Sequence, residues 1–314
     1  MEDPLKRRTL LTASTAASAA LAATAAPARA HGGRGRTAET LRTHSRILGR
    51  EVLHALYLPP GWRPRGRYRV LFLLHGGGVD DRTSWLREGR LRQLLDRAIA
   101  RRRIPPLVVA IPDAWRDPYA PKEGRQLTYY MNDADGSYRY ADMVTEEFVP
   151  YVEERYGAGG SPGRRGIGGL SMGGFGALSF ALRHQGMFAG AFGLSAAHRT
   201  DAQLVALDAE SYRVRFARAW GEGLVGEERL NALCRYWSLL DTIERTPAEQ
   251  LARTPYYLDC GAYDEFFEGN AQLHLALTRK KAAHRFLSRE GTHDWEYWTS
   301  GLPGALDFLA EHLD

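Results

Sequence analysis

One serine in this chain stands inside a run of glycines. Residues 166–176 read GIGGLSMGGFG, and Gly169-Leu170-Ser171-Met172-Gly173 places a glycine two positions to either side of the hydroxyl. Glycines at that spacing suit a backbone bent too sharply for side chains, the G-x-S-x-G arrangement that presents a serine at a strand-to-helix turn. A serine hydroxyl is a weak nucleophile near neutral pH, so it needs a base, and the base needs a group to orient it. The chemistry open to such a set is acyl transfer. In the chain order serine, acid, histidine, the acid follows a later strand and the histidine follows the last one. YYLDCGAYDEFFEGN offers Asp264 just past an apolar run, and HRFLSREGTHDWEYW offers His293 between an apolar run and a helix-like segment.

Other acids and histidines fit less well. Asp259 falls within its strand, Glu265 and Glu268 read as solvated charges, and Asp294 reads as a helix cap. His198, after a strand end, is the rival to His293, whereas His184, His274, His284 and His312 lie in or beside regular elements. The anion formed in acyl transfer needs fixed donors. One is expected from the backbone N–H of Met172. The other is expected from Gly77 or Gly78 in HGGG (His75 to Gly78), which is similar to the oxyanion loop of lipases and esterases; His75 itself is expected to hold that loop. Trp85, Tyr129, Tyr130 and Trp220 are candidate walls of a substrate pocket, against the alternative that they are core.

These residues must be positioned by elements, and the elements are legible. EVLHALYLPPGW reads as an early antiparallel strand ending at Pro59-Pro60-Gly61. Runs apolar on both faces suit buried parallel strands at 70–74, 106–112, 166–171, 190–195, 256–261 and 284–288. Helical spacing recurs over 90–103, 140–156, 175–184, 270–281 and 295–313, with Pro150 and Pro303 expected near turns or kinks. The alternation predicts an α/β fold with a mostly parallel sheet covered on both faces. Residues 199–254 are helix-prone without a clear strand and read as a helical insertion before the strand that precedes the acid.

With 314 residues, 44% hydrophobic and 25% charged, the chain can bury one large core. Of its net charge of +5, two units come from Lys6, Arg7, Arg8 and Arg29 set against Glu2 and Asp3, leaving +3 scattered among acids. That argues against a nucleic-acid partner. The segment LKRRTLLTASTAASAALAATAAPARA has a basic start, an Ala/Leu/Thr stretch and an A-x-A ending, and reads as an export signal over 1–30 with cleavage after Ala30. Arg7-Arg8 points to the twin-arginine route, with no stable membrane anchor after cleavage. Residues 31–45 are expected to form a flexible linker and 46–314 the folded domain. Cys234 and Cys260 could form a bridge in an exported protein or remain buried thiols.

The chain resembles the esterase D-like family of the α/β-hydrolase fold. YLPPGW, LFLLHGGG, DGSYRYADMVTEEFVPYVEERYG, GLSMGGFGAL, LDCGAYDEFFEGN and GTHDWEYWTSGLP carry the likeness over nearly all of the chain after residue 50. The resemblance implies a carboxylesterase with Ser171, Asp264 and His293 as its triad, no metal and no cofactor, and a small-molecule or polysaccharide-linked ester as substrate. It also implies a second possibility, acyl transfer to a sugar or lipid hydroxyl as in mycolyltransferases.

Overall fold

The computed structural model describes residues 33–120 and 126–314. The expected export signal at 1–30 lies outside the described residues.

The chain opens with β1 (Arg36–Ser45), which pairs antiparallel with β2 (Arg50–Leu58) from Arg36 opposite Leu58 to Ser45 opposite Arg50. This corrects the expectation of a linker through residue 45. β1 is a sheet-edge strand with mostly exposed side chains, so backbone hydrogen bonds rather than an apolar face hold it, and its polar sequence carries no alternation to read. Its end is fastened by Glu147, whose carboxylate accepts from the Ser45 hydroxyl at 2.5 Å and from the Arg46 and Ile47 amides at 3.1 and 3.2 Å.

Then come β3 (Arg69–Leu74), α1 (Ser84–Arg87), α2 (Leu91–Ala100) and β4 (Leu107–Pro112). After α3 (Tyr140–Asp142), a π-helical turn (Met143–Phe148) leads into α4 (Val149–Tyr156). Val149 N–H reaches back five residues to Val144 C=O, directly before Pro150, which has no N–H to continue an ordinary helical ladder. Next are β5 (Arg165–Leu170), α5 (Met172–Arg183) and β6 (Gly190–Leu194).

Six short helices follow: α6 (Asp201–Val205), α7 (Ala209–Arg215), α8 (Ala217–Trp220), α9 (Ala232–Trp237), α10 (Leu239–Arg245) and α11 (Ala248–Leu251). They form the expected insertion, and the side chains of Thr200, Asp208, Asn231 and Ser238 start four of them by accepting a backbone N–H. β7 (Tyr256–Gly261), α12 (Phe267–Arg279), β8 (His284–Arg289) and α13 (Trp295–Ala310) complete the chain. Pro303, expected near a turn or kink, lies inside α13.

The sheet order is β1-β2-β4-β3-β5-β6-β7-β8, antiparallel at β1-β2 and β2-β4 and parallel thereafter. Its central strands are apolar on both faces because both are covered. Val70, Phe72 and Leu74 of β3 enter one core cluster, and Leu71 and Leu73 enter the other. The carboxyl ends of β5, β7 and β8 therefore deliver three loops to the same edge of the sheet.

Candidate active site

Ser171 is the single residue between β5 and α5, at φ 51° and ψ −120°, a conformation costly for any residue with a Cβ. The turn also presses against its neighbours. A Cβ on Gly169 would lie 2.5 Å from the Gly173 carbonyl carbon, and one on Gly173 would lie 2.3 Å from the Leu74 carbonyl oxygen. Only glycine fits at either place, which is the reason for the spacing seen in the sequence.

The loop after β7 carries Asp264, buried at 6% exposure. Its Oδ1 accepts the Phe266 N–H at 2.8 Å, and its Oδ2 lies 2.9 Å from His293 Nδ1. His293, between β8 and α13, places Nε2 2.9 Å from Ser171 Oγ. With Nδ1–H donating to the carboxylate, Nε2 is left to accept from the serine hydroxyl. The imidazole is clasped edge-on by the rings of Phe266 and Trp298 at 4.9 and 4.8 Å.

The rival acids and histidine have other surroundings. Asp259 accepts from Arg289 at 3.0 Å and from the Tyr297 hydroxyl. Asp294 caps α13 by accepting the Tyr297 N–H at 2.8 Å. Glu265 and Glu268 are exposed. His198 is buried, and desolvation pushes its pKa down to about 4.

A cavity of about 200 Å³ opens over Ser171 and His293, bordered by Met172, Gly77, Gly78 and Tyr129. Met172 is the first residue of α5, so its N–H has no partner within the helix. Gly77 is close to it: a Cβ there would lie 3.8 Å from the Met172 side chain. The loop behind these glycines is tied down by buried groups. Tyr130 hydroxyl donates to His75 C=O at 3.0 Å, and Trp85 Nε1 donates to Leu74 C=O at 3.0 Å.

Two expected pocket walls are thereby corrected. Trp85 and Tyr130 are fully buried and border neither this cavity nor the one beneath the insertion, because their rings pack in opposite core clusters while their polar tips brace the HGGG loop. Tyr129 does border the cavity. Trp220 borders a different space of about 380 Å³ beneath the insertion, stacked on Phe216 at 4.1 Å. Arg199, Arg215, Phe266 and Trp298 border the site cavity without having been anticipated. Arg199 could have been flagged by its place just past β6, whereas Arg215 sits in the insertion, where nothing local marks it.

Among the described residues no cluster of His, Cys, Asp and Glu could hold a metal ion. Cys234 and Cys260 are buried free thiols, and burial pushes the Cys234 thiol up to about 12.

Residues 45–309 match the family described as "Putative esterase". The chain belongs to this family. Family membership makes it a carboxylic ester hydrolase of the α/β-hydrolase fold. An acetyl esterase of Caldicellulosiruptor saccharolyticus is 25% identical over 60% of this chain and 70% of its own length. Endo-1,4-beta-xylanase Y of Acetivibrio thermocellus is 29% identical over 42% of this chain, a stretch that makes up 12% of the xylanase. Among solved structures, a ferulic acid esterase superposes with a TM-score of 0.73 at 23% identity, covering 89% of this chain and all of that one, which bears on the fold.

Proposed function

We propose that this esterase works through Ser171, His293 and Asp264 and an acyl-enzyme intermediate. The observation that carries the reading is the unbroken relay from Asp264 Oδ2 to His293 Nδ1 and from His293 Nε2 to Ser171 Oγ, each step 2.9 Å, opening onto a cavity. Ser171 Oγ attacks the ester carbonyl as its proton passes to His293 Nε2, and the imidazolium so formed is stabilised by Asp264. The carbonyl oxygen, now an anion, is received by the Met172 N–H and by an N–H of Gly77 or Gly78, each such donor being worth about 3 kcal/mol in the transition state. The C–O bond to the alcohol then breaks, His293 returns the proton to the leaving alkoxide, and the acyl group stays on Ser171. Water, deprotonated by His293, releases the acid and restores the serine.

The substrates are small-molecule or polysaccharide-linked esters, a reading supported by the acetyl esterase and ferulic acid esterase likenesses. The protein is exported through its N-terminal segment by the twin-arginine route. Initial rates on p-nitrophenyl esters from acetate to long chain, beside Ser171→Ala and a fluorophosphonate probe, test the chemistry. Serine-dependent turnover and labelling are expected; full activity in Ser171→Ala overturns it. Secreted protein whose N-terminus is not His31 overturns the cleavage assignment.

A further inference from the structure

Two arginines border the cavity of the reacting serine without a carboxylate of their own among the described residues. Arg199 lies in the loop after β6 and Arg215 ends α7, and both border the cavity that contains Ser171 and His293. Elsewhere in the insertion, Arg213, Arg218 and Arg235 each pair with an acid. Arg199 and Arg215 form no ion pair among the described residues. Arg215 spends one N–H on the Ser211 carbonyl at 3.2 Å. Arg199 spends one on the Tyr129 hydroxyl at 2.8 Å.

Arg199 is also fixed in direction. Its guanidinium carbon lies 4.7 Å from the Phe266 ring centre and 5.7 Å from that of Phe216. The same Phe266 ring meets the imidazole of His293 edge-on, so the cation is held one ring away from the base. A guanidinium stacked on aromatics keeps its planar fork of donors pre-organised, and most of that fork is unused here. The acids bordering the same cavity are Asp80, which is buried and receives Trp295 Nε1 at 3.3 Å, and the solvent-exposed Glu265.

We propose that the substrates of this esterase carry a carboxylate or another anionic oxygen group near the scissile ester, bound by Arg199 with Arg215 beside it. The proposal rests on the catalytic reading of Ser171. It gives the site cavity a charge preference; Arg199 also borders the space beneath the insertion, but there Asp201, Asp241 and Glu244 line the same wall.

The test uses paired esters, one anionic and one neutral, with each enzymatic ratio set against the ratio of the two esters' uncatalysed hydrolysis rates. On the acyl side these are mono-p-nitrophenyl glutarate and its methyl-capped form. On the leaving-group side they are p-acetoxybenzoate and its methyl ester. For one pair the full-length protein is expected to show a kcat/KM for the anionic member about tenfold above the neutral one, the size expected of a charge-assisted hydrogen bond. That ratio should shrink as salt rises, collapse in Arg199→Gln and return in part in Arg199→Lys. The pair that responds tells which side of the ester bears the charge. A ratio at or below one for both pairs overturns the proposal, as does a ratio that Arg199→Gln leaves intact. If Arg199→Gln does not fold, the wild-type ratio and its salt dependence decide. Failure of the esterase chemistry is read separately, as absent turnover of every ester. In that case, stabilisation of Ser171→Ala against heat by the anionic but not the capped ester still supports the arginine site, and equal effects of the two overturn it.

Discussion

His75 and Ala114 join the loops that follow β3 and β4: His75 Nε2 accepts the Ala114 N–H at 2.9 Å, while Nδ1–H donates to Gly76 C=O at 2.7 Å. The ring is fully buried, so both bonds are made out of reach of water. The imidazole is therefore a brace whose tautomer is set by the two loops. Replacing His75 with Ala strands the Ala114 N–H, a loss of about 1–3 kcal/mol for an unpaired buried donor. Denaturant unfolding should show that loss, and kcat should fall with it as Gly77 and Gly78 shift. A variant as stable and as active as the parent would mean the loop is held by other contacts.

The strain at Ser171 separates activity from stability. At φ 51° and ψ −120° a residue with a Cβ costs on the order of 1–3 kcal/mol, and glycine does not. Ser171→Gly should therefore raise the melting temperature while reducing turnover by at least about a thousandfold, as loss of a nucleophile does. Ser171→Ala should lose as much activity with little gain in stability. Equal melting temperatures for the glycine and alanine variants would remove the strain from the account.

Gly173 tests the close approach at the turn. A methyl group placed 2.3 Å from the Leu74 carbonyl oxygen must push the helix away from the end of β3. Gly173→Ala should lose both stability, by about 1–3 kcal/mol for overpacking, and activity, because Met172 N–H moves with the helix. Thermal unfolding and kcat measured on the same preparation check this, and an unchanged kcat would speak against the tight turn.

Two buried histidines set an acid limit. Burial pushes the pKa of His54 and of His198 down to about 4 from an ordinary value of 6.5. Between those values the unfolded chain takes up protons that the folded chain refuses, so stability is complete above about pH 6.5 and is lost as pH falls toward 4. Each shift corresponds to about 3 kcal/mol at most. Unfolding free energy measured from pH 7 to pH 4 should fall steeply. The slope should flatten in His54→Phe, whose ring would take a place between Phe148 and Tyr151. An unchanged slope in that variant would clear His54 of the effect.

Most of the sheet was legible because its strands are buried on both sides. β3 to β7 each coincide with a buried apolar run, and those runs are chemically unlike the amphipathic helices between them. The expectation of a strand apolar on both faces at 284–288 is corrected: β8 lies at the sheet edge, and none of the residues of HRFLSR is buried. β1 was not legible, since an edge strand held by backbone bonds writes no apolar pattern. The reacting side chains were legible for a related reason. Ser171, Asp264 and His293 follow strand ends in a fixed order, and parallel strands bring successive loops to one edge even when, as for Ser171 and His293, the residues are 122 positions apart. The pocket had no such signature. Trp85, Tyr129, Tyr130 and Trp220 are all aromatic and all buried, yet only Tyr129 borders the space over the serine.

The sequence by itself determined the strand-helix alternation, the glycine spacing of the sharp turn, and the three residue types at strand ends, because each is a local pattern dictated by burial or by backbone geometry. Only the tertiary structure decided which aromatics are core and which are wall, and that Arg199 and Arg215 border the cavity over the serine. Lining a cavity is a property of how distant segments pack against one another, and a buried ring or a solvated arginine has the same local sequence whether it faces a substrate or a neighbour.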